Sequence, residues 1–549
     1  MTDKKEDLLD DVVSYFEDGH GYGFLEPPSS DTVREEFFDI EFFDRHDVID
    51  DKWVKEPFAH VSVLYDEENE IRRYRVTEPV LDEFERYVRR DLESVIRTYL
   101  RGRKIDKEKE KSEVFETVFE EVVENHGEKV GAGTLQKLGY YFERDFVGYG
   151  PIDPLMHDTE IEDISCNGHD TPVFIYHRSY GDIRTNISFS EDELNSLAVR
   201  LAQRGDRHIS VANPMVSTTL PDGSRAQLTL GSDIGMRGSN FTIRKFFDEP
   251  YTPIDLIRFG TFSVREMAFL WLAIQNKMSI IFAGPTASGK TTSMNAVSFF
   301  LPPDTKVVSI EDVPEVSIPH ENWVSEVTRE SGGIGERDEI TMYDLLQAAL
   351  HKRPEYLLVG EIRTKPEVVR TFFQSVFTGH PGATTFHAES VEAAMNRFTS
   401  EPLSVPERMI DAVDLVSVQD QVMMGDERVR RNRNITEVFI PEESDSIETN
   451  HLFRWDPGTD SFENQPDMSG SSEVLRKLSE DRGWSEEKII KELSDREMVL
   501  SYLVQNEVND YRDVTAVLHA FARTPERITE KIRDGSLEPE RLRAENLNI

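Results

Sequence analysis

The sequence predicts an α/β fold: a parallel sheet covered by helices in the middle of the chain, an α+β region before it and a helical region after it. Three observations lead there. From Tyr251 to about Glu437, β-like and helical stretches alternate, the pattern of strands joined by crossover helices. From about Gly148 to Phe247, short β-like runs such as "PVFIYHRSYGDI" and "RAQLTL" are punctuated by turn signals such as "PDGS". After about Asp467 the chain reads as helices with marked starts.

Taken in order, the first hundred residues mix acidic runs with aromatics, as in "EEFFDIEFFDRHDVIDDKW". Those aromatics suit either a partner's docking site or a small core. Leu81, Phe84, Val88, Leu92, Val95 and Ile96 recur at helical spacing, which predicts a helix over 81–100, and a second is expected over 112–125. The charged "RGRKIDKEKEKSE" between them reads as an exposed junction. Ser279 to Ala283 is β-like and Thr291 to Phe300 helical, while "TEVFIPEESDSIETNHLFRWDPGTDSF" suggests a closing hairpin plus linker. In the tail, Ser485 before Glu486 and Glu487 is an N-cap with acids in the first turn, and Thr524-Pro525-Glu526 places proline at the first helical position. The expected segments are an acidic, partly helical region at 1–110, an α+β domain at 111–248, the sheet core at 249–455 and a helical region at 456–549.

Composition narrows the setting. A single cysteine, Cys166, permits no intramolecular disulfide and fits a reducing interior. The N-terminus is charged and lacks the apolar core of a signal peptide, and no uninterrupted apolar stretch could span a bilayer. The expectation is a soluble, cytoplasmic protein. Acids outnumber bases by 105 to 63, a net charge of −42 spread along the whole chain. Such self-repulsion is screened in molar salt, which points to an organism with a salt-rich cytoplasm. No evident basic patch offers itself to nucleic acid or anionic lipid.

The chemistry begins at Gly284-Pro285-Thr286-Ala287-Ser288-Gly289-Lys290-Thr291, followed by Thr292, which meets every fixed position of G-x-x-x-x-G-K-[ST]. Glycines let backbone N–H groups curl around phosphate oxygens, and the helix that follows points its positive end at the same anion. Lys290 adds a point charge and the Thr291 hydroxyl suits Mg²⁺. In an open parallel sheet the partners lie beyond the carboxyl ends of neighbouring strands. "KVVSIEDVPE" ends in Glu311 and Asp312, and "PEYLLVGEIR" in Gly360, Glu361 and Arg363. These acids suit the remaining tasks, holding Mg²⁺ and orienting the attacking water, with Glu361 the first choice for water because a glycine before it allows close backbone approach to the phosphate. In "FTGHPGATTFHAES", His380 and His387 match no usual zinc spacing. Thr384 or His387 could instead report on the γ-phosphate.

The ordered set GPTASGKTT, SIEDVPE, RPEYLLVGEIR and GHPGATTFHAES resembles the Walker A, Asp box, Walker B and His box of the type II/type IV secretion ATPase superfamily. Upstream, "IEDISCNG", "LPDGSRAQLTL" and "SNFTIRKF" are similar to the N-terminal domain of that family, and the match runs from about Ile161 to Val438. The acidic N-terminus and helical tail most resemble its archaeal branch, the archaellum motor and archaeal type IV pilus assembly ATPases. The resemblance implies a RecA-like P-loop core, with ATP and Mg²⁺ bound between that core and an N-terminal domain. It implies a hexameric ring under a polytopic membrane platform protein, with accessory cytoplasmic filament proteins and no direct membrane insertion. It further implies that Lys290 and Thr291 bind phosphate and Mg²⁺, that Glu311 and Glu361 are the acidic pair, and that His387 is the His-box histidine. Arg225 and Arg244 match N-domain arginines that reach the nucleotide, and Arg329 in "EVTRESGG" is the expected arginine finger. Departures are His351 in "LHKRP", where relatives commonly carry arginine, and "IRTKPE" after Glu361. The competing readings are a RecA-type nucleic-acid motor, which would need a basic, aromatic-lined path where the core half of this chain offers only the dense cluster Arg428 to Arg433, and a non-hydrolysing scaffold, which both glutamates argue against.

Overall fold

The computed structural model describes residues 47–66, 71–102, 111–126, 130–246, 250–329, 339–363, 365–425, 427–441, 446–464 and 471–546, with scattered positions before 47. The expected junction at 103–110, most of the acidic N-terminal 46 residues and the "ESGG" after Arg329 lie outside them. The chain divides into two compact units, Met1–Phe247 and Asp248–Ile549. The four expected segments therefore group in pairs.

In the first unit, the strands β1 (Asp47–Lys55), β2 (Ala59–Asp66), β3 (Ile71–Thr77), β4 (Ile161–Cys166), β5 (Pro172–His177), β6 (Gly181–Ser188), β7 (Met215–Thr219), β8 (Arg225–Thr229) and β9 (Asn240–Arg244) form one sheet. Its order is β1-β2-β3-β6-β5-β4-β9-β8-β7. Every pairing is antiparallel except β3 with β6. The acidic opening of the chain thus contributes three strands to the domain's own sheet. Its alternation is blurred because β1, DVIDDKWVK, has no fully buried position. The expected helices are Glu83–Gly102 and Lys111–His126. The N-terminal aromatics turn inward: Tyr22, Phe37, Phe38 and Phe58 are buried with Phe115, Phe119, Tyr140 and Phe142 in one core. Of the two readings of those aromatics, the structure holds the small core.

The second unit carries β10 (Ile280–Ala283), β11 (Val307–Glu311), β12 (Trp323–Val327), β13 (Tyr356–Val359), β14 (Gly382–Phe386), β15 (Leu415–Met424), β16 (Glu427–Phe439), β17 (Glu448–Asp456) and β18 (Ser461–Asn464). Their order is β12-β11-β13-β14-β10-β15-β16-β17-β18. From β12 to β15 the strands are parallel, and from β15 to β18 they meander antiparallel. The parallel strands read as continuous apolar runs because both faces are covered, and β10, β11, β13 and β14 are buried at every residue. One face packs on helices Met342–Leu350, Pro366–Phe377 and Val391–Thr399. The other packs on Val264–Gln275, Lys290–Ser298 and the C-terminal helices, with Trp271 stacked on Phe300 at 5.1 Å and against Phe521 at 4.8 Å. The tail therefore completes the core of this unit. Its caps are as expected: the Ser485 side chain accepts from the Lys488 N–H, and Pro525 opens Pro525–Arg533. This is the RecA-like arrangement the family resemblance implies, with the phosphate loop on the central strand β10. Among the described residues no helix is long and apolar enough to cross a membrane.

Candidate functional site

The loop leaves β10 at Gly284 and enters the helix Lys290–Ser298 at Gly289, its left-handed N-cap with φ 92°. Gly284 is needed for space as well as conformation: a Cβ there would lie 2.3 Å from the Gln419 carbonyl oxygen on β15. Ala287 holds a left-handed φ of 62°, an unfavourable conformation for a residue with a Cβ. Lys290 donates from Nζ to the Pro285 carbonyl at 2.7 Å, which folds its ammonium back over the loop. The helix's first N–H groups and Lys290 thus face the space the loop encloses, as an anion site requires.

The strands beside β10 bring the acids. Glu311 ends β11, is 1% exposed, and accepts from the Glu315 and Val316 N–H groups at 2.8 and 2.7 Å through one oxygen. Its other oxygen, Oε2, is buried without a hydrogen-bond partner. Burial pushes its pKa up to about 7, against the lowering by those two backbone bonds. Gly360, after β13, makes room for this side chain: a Cβ there would stand 3.2 Å from Glu311 Cγ. The glycine before Glu361 thus serves the neighbouring glutamate.

Glu361 accepts from Arg363 Nε at 2.8 Å through Oε2, and His387 Nε2 lies 2.9 Å from its Oε1. On its other side, His387 Nδ1 is 3.5 Å from Lys290 Nζ. Burial first, then the Lys290 charge, hold the His387 pKa below the usual histidine value. Near neutral pH the ring is uncharged. Since an ammonium can only donate, Nδ1 is the acceptor and the ring proton belongs on Nε2, although Glu361 Oε1, 2.9 Å away, is buried without a hydrogen-bond partner. Arg397 fixes the histidine's backbone by donating to its carbonyl and stacks over Phe386 at 4.7 Å. Lys290, His387, Glu361 and Arg363 lie close together across the tips of β10, β14 and β13, beside Glu311 at the tip of β11.

The other expected residues fall as follows. Thr291 and Thr292 lie in the first turn of Lys290–Ser298. Thr384 is buried within β14, and its hydroxyl is directed to the Thr385 carbonyl at 3.5 Å. Arg329 is exposed just past β12, the edge strand, and exchanges backbone hydrogen bonds with Ile340. Arg225 and Arg244 belong to the first unit, where they stand opposite each other on β8 and β9 with both residues exposed. Sequence reasoning missed Arg430 on β16, whose Nε donates to the Ala287 carbonyl at 3.1 Å. It also missed the buried network in which Glu266 accepts from Asn432, and Asn432 from Gln419. Arg430, Asn432 and Gln419 come from a β-hairpin far along the chain from the loop, and only the place of Arg430 and Asn432 in a dense arginine run was visible.

The residues fit a nucleotide with its metal. A bare buried carboxylate oxygen, a hydroxyl in the first helical turn and a loop closed by a lysine supply hard oxygen ligands and a phosphate cradle. Among the described residues, the side chains alone form no cluster that would hold a metal without the nucleotide.

Comparison with known proteins agrees. Residues 147–461 match the family model described as type II/IV secretion system protein. Residues 28–80 and 458–535 match models described as PilB3-like N-terminal and PilB3-like C-terminal. An uncharacterized protein of Methanocaldococcus jannaschii is 37% identical over 396 residues, 72% of this chain and 71% of its own. The type IV secretion system protein VirB11 of Bartonella henselae is 30% identical over 247 residues, covering 39% of this chain and 68% of its own. Among solved structures, the Legionella pneumophila ATPase DotB is 19% identical with a TM-score of 0.37, over 69% of this chain and 93% of that one.

Proposed function

From the premise that this chain belongs to the type II/type IV secretion system family and is an ATP-hydrolysing enzyme, we propose that it is a ring motor that converts hydrolysis into assembly or rotation of a surface filament. The observation that carries the chemistry is the cluster of Lys290, His387 and Glu361 at the strand tips, with bare buried oxygens on both Glu361 and the adjacent Glu311. In this reading Glu361 orients the attacking water and takes its proton as the oxygen bonds to Pγ and the bond to the β,γ-bridging oxygen breaks. His387 holds Glu361 in place and senses the γ-phosphate by its link to Lys290. Thr291, Glu311 and Glu361 would hold Mg²⁺, which supplies charge neutralisation at the phosphates. The loop's backbone, from Gly284 to Thr292, grips the phosphates.

Six copies in a ring would let Arg225, Arg244 and Arg329 reach a nucleotide across a subunit boundary, and the exposure of all three supports that reading. The PilB3-like matches at both flanks favour a type IV pilus-like filament over an archaellum. The partners are a polytopic membrane platform protein and accessory cytoplasmic proteins. The chain would sit at the inner face of the membrane through them, in a halophile's cytoplasm.

Specific ATPase activity measured against protein concentration in molar KCl tests this. Lys290→Ala is expected to lose nucleotide binding, and Glu361→Gln to keep binding but cut turnover by two or more orders of magnitude. Activity should rise steeply with concentration. Flat turnover in a monomeric sample would sink the trans arginines, and near-wild-type turnover in Glu361→Gln would remove that residue from the mechanism.

A further inference from the structure

We propose that Arg430 is a positioning residue that holds the phosphate loop in its binding shape, supplied by the same chain from the β15–β16 hairpin. The inference rests on the nucleotide-site reading above and adds to it the element that preforms the site.

The loop carries its own strain. Ala287 is left-handed at φ 62°, a conformation that disfavours a residue with a Cβ, so something outside the loop must hold it there. Lys290 ties only the Pro285 end. The Ala287 end is tied by Arg430, whose Nε donates to the Ala287 carbonyl at 3.1 Å. The arginine stem crosses the start of the helix where Gly289 leaves room: a Cβ there would stand 3.3 Å from Arg430 Cδ.

Arg430 can act as a fixed point because its neighbours are anchored. Arg431 grips Asp460 through two hydrogen bonds of 2.8 and 2.9 Å and donates to the Phe259 carbonyl at 2.9 Å. Asn432 donates to Glu266 at 2.7 Å and accepts from Ser417 and Gln419 at 2.9 and 3.1 Å. The partner strand meets the loop as well, since the Gln419 backbone carbonyl is what Gly284 is packed against. The hairpin thus braces the loop at its first glycine and at Ala287. A guanidinium at this rim also adds a permanent positive charge beside the phosphate cradle, in a chain whose net charge is −42. A loop freed from the brace populates its binding shape less, and apparent affinity falls by that fraction.

The test is titration of a fluorescent ADP and a fluorescent ATP analogue into the full chain in molar KCl, with thermal melts of the apo protein. Arg430→Gln is expected to weaken both nucleotides about 10-fold and alike, because the loop itself is what loosens. Its apo melting temperature should stay at the wild-type value. Arg428→Gln makes the same charge change two residues away on the same face of the strand, where Arg428 is exposed, and should bind as wild type. Wild-type affinity in Arg430→Gln, or an equal loss in Arg428→Gln, overturns the proposal. Should Arg430→Gln melt early, Arg430→Lys decides, because lysine keeps a donor and the charge: affinity nearer wild type supports the brace, and affinity equal to the glutamine variant overturns it. Lys290→Ala runs alongside. If it still binds nucleotide normally, the site reading has failed; if it does not, the Arg430 result stands alone.

Discussion

The two units bury acids in the same two ways, paired with a cation or among neutral donors, but mix them differently. In the first, Asp158 meets Lys52 Nζ at 2.6 Å and the Tyr74 hydroxyl at 2.5 Å, Glu85 meets Lys137 at 2.6 Å, and the half-buried Glu78 meets Arg144 at 2.8 Å, while Asp153 accepts from the Tyr149 N–H at 2.8 Å; the second likewise pairs Glu492 with Arg496 at 2.7 Å and Asp495 with Lys491 at 2.8 Å. In the second, Glu266, Glu311 and Glu437 are buried among neutral donors only. Burial raises the Asp158 pKa, but the Lys52 and Tyr74 hydrogen bonds outweigh it and hold the group below the usual carboxylate range. Burial raises Glu437 and pushes Glu266 and Glu311 up to about 7. Among these three, Glu311 is the one that keeps an oxygen with no hydrogen-bond partner. A paired buried acid is structural and complete within the fold. The bare oxygen of Glu311, at the tip of a β-strand beside the phosphate loop, is what the proposed site would use to hold a cation, whereas Glu266 and Glu437 have both oxygens satisfied within the fold.

The largest way to break this comparison is pH. For Glu266 and Glu311 the folded pKa lies above the unfolded value, so from about pH 4.5 to 7 the folded state binds more protons and stability falls as pH rises. A shift from 4.5 to about 7 is worth roughly 3 kcal/mol per group once both states are ionised. For Asp158 the folded pKa is depressed, so its contribution is present above the unfolded pKa and lost as pH falls through the folded one. Urea unfolding of the apo protein from pH 5 to 8 should therefore show stability declining, with Glu311→Gln flattening part of that decline. Mg²⁺ with nucleotide should flatten it too, by drawing Glu311 into its ionised form. An unchanged slope in Glu311→Gln would assign the decline to other groups.

The two units also differ in how openly the sequence wrote them. The phosphate loop and the strand ends at Glu311 and Glu361 were legible because a strand buried on both faces must be an uninterrupted apolar run, and chemistry begins where the run stops. β1 to β3 were not, because an exposed or half-buried strand such as DVIDDKWVK needs no apolar side at every second residue. Nor was the support under the loop. Arg430 acts on Ala287 from far along the chain, and one-dimensional spacing carries no trace of a contact made by sheet order. The packing of Gly360 against Glu311 was not legible either, because that side chain comes from the adjacent strand.

A sharper version concerns cations on the surface. The first unit spends its buried cations on its own acids, but Arg225 and Arg244 face each other on an exposed side of β8 and β9. If they serve a neighbour's nucleotide, the double variant Arg225→Gln/Arg244→Gln should lower turnover about 10-fold or more at high protein concentration while leaving the melting temperature unchanged. A fall in melting temperature without a fall in turnover would return both to the structural class of the first unit's other cations.

The smallest expected effect isolates burial from chemistry by deleting the same kind of cap in each unit. Ser190 begins Glu191–Arg204 in the first unit, where its N–H donates to Glu193 at 2.9 Å on an exposed surface. Ser263 begins Val264–Gln275 in the second, where its N–H and hydroxyl donate to Glu266 at 2.7 and 2.9 Å and its hydroxyl accepts from the Glu266 N–H at 3.2 Å. Loss of a capping hydroxyl typically costs about 1 kcal/mol. Ser190→Ala should fall at or below that, because water replaces the lost donor to Glu193. Ser263→Ala should cost nearer ~2 kcal/mol, because Glu266 is fully buried and has lost one of the few donors that stabilise its charge. The excess should be greater at pH 8 than at pH 5, since at pH 5 a protonated Glu266 has less need of donors. Equal costs in paired urea titrations would mean that Glu266 is already neutral or hydrated in the native state, and the contrast between paired and unpaired acids would then rest on Glu311 alone.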